Sequence, residues 1–212
     1  MIRPIVIIIA AVVGCVVLVL LIALALRSDG TVWGREHTIA ELKRLRDRVF
    51  VNPTDAPARS LLEEALRSKS RFRRVEAAAE IGSLGEKGRF ATDALVGALE
   101  TDDRFTAREI VQALGEIGPT ARACLPQLIA VMESNPSRDV GWFAADSIGQ
   151  IADQSDRSAL EALSNASHSS DSNLAVRASH ALQSIKERNI RRSEAHIEGR
   201  GGGDSGRQPR RE

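Results

Sequence analysis

The sequence predicts an all-α protein: a single amino-terminal transmembrane helix followed by a short α-solenoid of about four helix-turn-helix repeats. Three observations predict it. An echo runs through the chain every 33–34 residues, 22 apolar residues without a charge stand near its start, and aromatic content is 3% with no tyrosine. Alanine and leucine therefore do most of the apolar work, which favours close helix packing over a β-sandwich.

The apolar run is Ile5 to Leu26, flanked by Arg3 and Arg27. As a helix it would measure about 33 Å, enough to span a hydrocarbon core. It is longer than the apolar region of a cleaved signal peptide. Arg27, Arg35, Lys43, Arg44 and Arg46 follow it and only Arg3 precedes it. By the positive-inside rule the expectation is a single-pass protein of the cell membrane, with its soluble domain in the cytoplasm.

Next, Arg35 to Val51 reads as a charged amphipathic helix with Ile39, Leu42, Leu45 and Val49 on one side. Repeat arrays need a capping element, and this helix is expected to supply it. An alternative lays it on a membrane surface, with Lys43, Arg44, Arg46 and Arg48 toward lipid headgroups. Residues 28–57 thus form a juxtamembrane cap and linker, following an anchor over 1–27.

The echo defines the repeat. Gly82, Gly115 and Gly149 form a column, continued weakly by Gln183. One residue earlier stand Ile81, Leu114, Ile148 and Leu182; two residues later, Leu84, Ile117, Ile151 and Ile185. Four and five residues earlier stand Ala78 and Ala77, Val111 and Ile110, Ala145 and Ala144, then Ser179 and Ala178. These offsets place one apolar stripe on a helix, with small residues where another helix approaches. A second stripe alternates with it: Leu62 and Leu66, Leu95 and Leu99, Leu128 and Met132, Leu160 and Leu163. Glycine, proline and serine clusters separate the two. The unit is helix, turn, helix, loop, and its fixed period predicts a stacked array over 58–190. From about Arg191 the chain turns polar and glycine-rich, so 191–212 is expected to be a disordered tail.

The stretches "EIVQALGEIG" from Glu109, "ACLPQLIAVM" with Pro126 inside a first helix, and "WFAADSIGQIA" from Trp142 resemble HEAT-like repeats, especially the short kind of the phycobilisome-lyase family. The resemblance covers the array. It implies a binding ridge along the second helices and, as one alternative, a lyase-like subunit or accessory chaperone attaching a chromophore to a cysteine of another protein. The large aromatic positions of tetratricopeptide repeats are missing.

Charge and motif bound the function. Residues 50–185 carry fourteen basic against nineteen acidic side chains, so nucleic acid is not an expected partner. The four histidines are scattered without metal-ligand spacing, and no nucleophile elbow occurs. Asp103 reads as an N-cap. The two cysteines, Cys15 and Cys124, read as packing residues. No catalytic residue, metal, cofactor or small-molecule substrate is expected. The expected role is a non-enzymatic scaffold that binds a protein partner, with a membrane-surface lipid-binding module as a further alternative. The partner-binding candidates are Trp142 and Phe143, next to Ser147 and Gln150 that look solvated, with a polar rim of Arg73, Arg74, Arg108, Asp146 and Arg177.

Overall fold

The computed structural model describes residues 32–100, 103–134 and 138–201. The described residues are helical with turns between, and no strand occurs among them. The chain divides into two units, 1–44 and 45–212. Helix α1, Val32–Val51, crosses that boundary. In the first unit its Leu42 is buried and Ile39 is partly covered.

The second unit holds the array. Its first pair is α2, Ala56–Leu66, and α3, Arg71–Gly82. The second pair is α4, Thr92–Ala98, and α5, Arg104–Ile117. The third is α6, Leu125–Ser134, and α7, Arg138–Ile151. The fourth is α8, Arg157–Ala166, and α9, Ser172–Gly201. Short 3₁₀ segments, Gly85–Ala91 and Gly118–Cys124, lead into α4 and α6. Each opens on a glycine with positive φ, 56° at Gly85 and 74° at Gly118, where a side chain would be strained. Pro126 sits at the second residue of α6, in the first turn, where its missing N–H breaks no helical bond. Asp55, Ser70 and Asp103 accept backbone N–H bonds at the starts of α2, α3 and α5.

Second helices pack on second helices: α3 on α5, α5 on α7, α7 on α9. The glycine column makes this possible. A Cβ on Gly82 would stand 2.8 Å from the Cα of Ala113; one on Gly115, 3.0 Å from the Cβ of Ser147; one on Gly149, 2.6 Å from the Cβ of Ala181. Every glycine thus receives the residue two places before the glycine position of the next repeat. Ser147 is buried and donates to the Val111 carbonyl at 2.8 Å. The expectation that Ser147 is solvated is therefore corrected: a neighbouring helix covers it, while Gln150, three residues on, is exposed. Among the described residues no repeat follows α9; its column position holds exposed Gln183, and Ser179 is exposed too. At the other end the corresponding small-residue position is Glu80, and Arg46 of α1 reaches it at 3.1 Å. Lys87 donates to the Phe50 carbonyl at 2.9 Å, while Leu45 and Val49 are buried. The end of α1 within the second unit, Leu45 to Val51, therefore packs against the first helix pair.

The expected stripes form the core. Ile81, Leu114, Ile148, Ile117 and Ile151 are buried, as are Leu62, Leu66, Leu95, Leu128, Met132 and Leu163. Leu99, Leu160 and Leu182 are only partly covered. Cys124 is buried, and burial pushes its thiol up to about 12, so it packs as a small hydrophobe. Repeats three and four are clasped by Arg122: Nε donates to Asp156 at 2.8 Å and Nη1 to Asp153 at 2.9 Å. Hydrogen bonds from Ser155 hold the Asp153 carboxyl below its ordinary range.

Two expectations are corrected. Among the described residues no helix is long and apolar enough to cross a membrane, so the placement as a single-pass membrane protein does not stand. The run 5–26 on which it rested lies outside the described residues. Second, the expected disordered tail begins too early: α9 continues to Gly201. Residues 191–195 are exposed, so intrinsic preference rather than burial carries this stretch. Arg, Glu, Ala and Ile dominate "IRRSEAHIE", and the first breaker is Gly199. Residues 202–212 lie outside the described residues.

Candidate functional site

The surface of interest follows from helical period. On each second helix, positions seven, six and three residues before the glycine column flank the buried stripe and stay partly open. They supply Arg108 and Glu109 on α5, Trp142, Phe143 and Asp146 on α7, and Arg177 on α9. All are half-buried.

Four of the expected partner-binding residues converge across three repeats. The Phe143 ring lies between two guanidiniums, with the Arg108 carbon 5.7 Å and the Arg177 carbon 5.1 Å from its centroid. Arg177 also pairs with Asp146. Trp142 stands beside them as a strut: its indole N–H donates to Asp171, before α9, at 2.9 Å. Arg73 and Arg74 lie elsewhere, on the first turn of α3. Arg74 donates to the Ser68 carbonyl at 2.9 Å and pairs with Asp103 at 3.5 Å. It therefore holds the loop before α3 against the start of α5.

A second aromatic contact was missed from sequence. Phe105 is 43% exposed, and its ring carries Arg71 at 5.3 Å and Arg104 at 4.9 Å. Arg71 belongs to "RFRR", which as sequence reads as a solvated run. The available signal was spacing: Arg71 precedes Phe105 by 34 residues and Phe143 precedes Arg177 by 34, one repeat in each case. Guanidinium on aromatic thus recurs between neighbouring second helices.

Toward the amino-terminal repeats the same surface is acidic. Burial raises the Glu109 carboxyl above its ordinary range; Arg108 pulls it back, and Glu116 and Glu76 push it further up. Burial raises Glu116 as well. A carboxyl raised on folding contributes stability that is full below its ordinary pKa and is lost as pH rises through the folded value. Glu109→Gln, which cannot ionise, is therefore expected to melt higher than the natural chain at pH 7 and to flatten the fall in stability between the ordinary glutamate range and neutrality. The side chain is half open to water, so the gain is on the order of 1–2 °C. Thermal melts followed by circular dichroism at pH 5 and pH 7 measure it; an unchanged pH slope contradicts it.

Among the described residues no group of three or more His, Cys, Asp and Glu side chains is placed to hold a metal ion.

Comparison with known proteins bears on the fold. No protein-family model matches the chain, and no curated protein matches it. Solved structures do. The chain is similar to the crystal structure of an engineered protein, at 24% identity and a TM-score of 0.54, over 72% of this chain and 73% of that one. It is also similar to the archaeal HEAT-like repeats protein from Thermococcus onnurineus NA1, at 17% identity and a TM-score of 0.47, over 76% of this chain and 68% of that one. The first likeness concerns the fold alone; the second is too loose to carry an argument.

Proposed function

We propose that this chain is a non-enzymatic scaffold of HEAT-like helix pairs that docks a protein partner on the ridge of its second helices. One observation carries the reading: three successive repeats contribute Arg108, Phe143, Asp146 and Arg177 to a single half-open cluster. A ring held by two guanidiniums offers its remaining open apolar surface with little left to order on binding, and the cations around it give direction. Aromatic and arginine side chains at the centre of a surface are where binding energy concentrates. Trp142, tied to Asp171, stands next to Phe143 on α7, while Arg73 and Arg74 lie outside this cluster, on the first turn of α3.

The test compares capture by the natural chain, by Phe143→Ala and by Leu61→Ala. Leu61 is exposed on α2, a first helix. Truncating a central aromatic costs about 2 kcal/mol of binding, roughly 30-fold. A protein retained by the natural chain and Leu61→Ala but lost by Phe143→Ala supports the ridge. Equal retention by all three removes it. Circular dichroism melts check that both variants fold.

A further inference from the structure

The array's charge is uneven, and its last repeat differs from the others. Helix α9 carries Arg177, His180, Ser184 and Arg188, spaced three to four residues apart and so on one face. Together with Asp146 and Gln150 of α7 they line a groove of about 570 Å³ between the two helices. The wall is fixed in place. Arg188 donates through Nη2 to the Gly149 and Ala152 carbonyls at the end of α7, at 2.6 and 2.8 Å. Its Nε and Nη1 make no hydrogen bond with the described residues. Neither does His180 or Gln150, both exposed.

The charge in the groove is positive on balance. Asp146 is its one acidic lining residue, and Arg177 already neutralises it. Burial, then the neighbouring Arg192 and Arg191, hold the pKa of Arg188 below its ordinary value while Asp153 pulls it back, which marks a crowding of guanidiniums at this end. Beside them Val176 is 68% exposed, an apolar contact at the lip of the groove.

We propose that this groove binds an acidic segment of a partner protein, its carboxylates on Arg188, His180 and the open edge of Arg177, with an aliphatic side chain against Val176. The inference rests on the docking reading above and names the chemistry of what docks. Charge complementarity argues for it, because unsatisfied guanidinium and imidazole donors match carboxylates in geometry and sign. Nucleic acid is the poorer match. The ridge continues into Glu109, Glu116 and Glu76, which would repel a phosphate backbone running along it, whereas a short acidic segment ends before them.

Fluorescence anisotropy with the full chain tests the proposal. The probes are a fluorescein-labelled ten-residue peptide of glutamate with leucine at every third position, its lysine counterpart, and a twelve-residue oligothymidylate. The acidic peptide is expected to bind, to weaken with added salt, and to weaken about tenfold in the double variant His180→Glu/Gln150→Glu. Both changes fall on exposed side chains without hydrogen bonds, and a melt matching the natural chain confirms the fold. No binding of the acidic peptide, equal binding by the double variant, or preference for the lysine peptide or the oligothymidylate overturns the proposal. If Phe143→Ala loses its captured protein while the acidic peptide fails to bind, the ridge stands and the acidic chemistry falls. If the peptide behaves as expected while capture ignores Phe143→Ala, the groove stands and the aromatic centre falls.

Discussion

Ala145→Asp is expected to abolish the cooperative folding of the array. Ala145 is fully buried in α7, the second helix of the third repeat. The site holds one methyl group and is closed to solvent. A carboxylate there loses its hydration and gains no partner, and the larger side chain must displace the packed neighbours. A penalty of about 3–5 kcal/mol follows from burying an unpaired charge in this way. That is a large share of the stability of a domain this size. The damage spreads, because a helix pair in a stacked array depends on its neighbours to cover its apolar faces. Circular dichroism is expected to show the variant mostly unfolded at 25 °C, or melting more than about 15 °C lower. Gln150→Asp, on the same helix but exposed, is the control and is expected to melt within about 2 °C of the natural chain. An Ala145→Asp melt indistinguishable from that control would mean that the stripe is misplaced.

Gly149→Val is expected to have an effect nearly as large, but a local one. The added Cβ would stand 2.6 Å from the Cβ of Ala181 and 2.9 Å from its Cα. The second of these is backbone, which cannot swing aside, so α9 as a whole must move. Overpacking of this kind costs about 1–3 kcal/mol, and the β-branched side chain adds crowding within the helix. Three repeats can still cover one another without the fourth. Hydrogen exchange is therefore expected to show α9 losing protection between about Ser172 and Ile190 while α3 and α5 keep theirs. Gly97→Ala provides the contrast, since a Cβ there meets nothing within 4 Å, and it is expected to leave the exchange pattern unchanged. Uniform loss of protection across all repeats would refute the idea that the last pair detaches separately.

Much of the fold was legible because repetition multiplies a weak signal. A single "EIG" says little, but Gly82, Gly115 and Gly149 at equal spacing define a unit, and the apolar offsets around them define which side is inside. What the glycines accommodate was not legible. Ala113, Ser147 and Ala181 are small residues among many small residues, and nothing local distinguishes one that meets a neighbouring helix from one that faces water. Ser147 was misjudged for that reason: a hydroxyl reads as solvated until the Val111 carbonyl is placed opposite it. Sequence reasoning grouped Phe143, Arg108, Arg177 and Asp146, which the structure brings together, because helical period alone places them beside the stripe. It grouped Arg73 and Arg74 with them, although both lie on the first turn of α3 and Arg74 holds the loop before that helix. It missed Phe105 with Arg71, whose contact crosses a repeat boundary. Interactions one period apart depend on how far each helix is shifted along its neighbour, and residue types do not encode that shift. The end of α9 was misjudged for a different reason: polarity was read as disorder, although arginine and glutamate are good helix formers without any burial.

The seat-and-peg relation between consecutive second helices has a practical corollary for engineering. An internal module brings both a hollow for its successor and a small residue for its predecessor, so a duplicate of it inserted in mid-array would meet matching joints on both sides. The final module brings only the small residue. Gln183 stands where the other second helices have glycine, and extending the array by appending a copy would require returning that position to glycine first. The number of modules is thus adjustable from within and restricted after the fourth by Gln183.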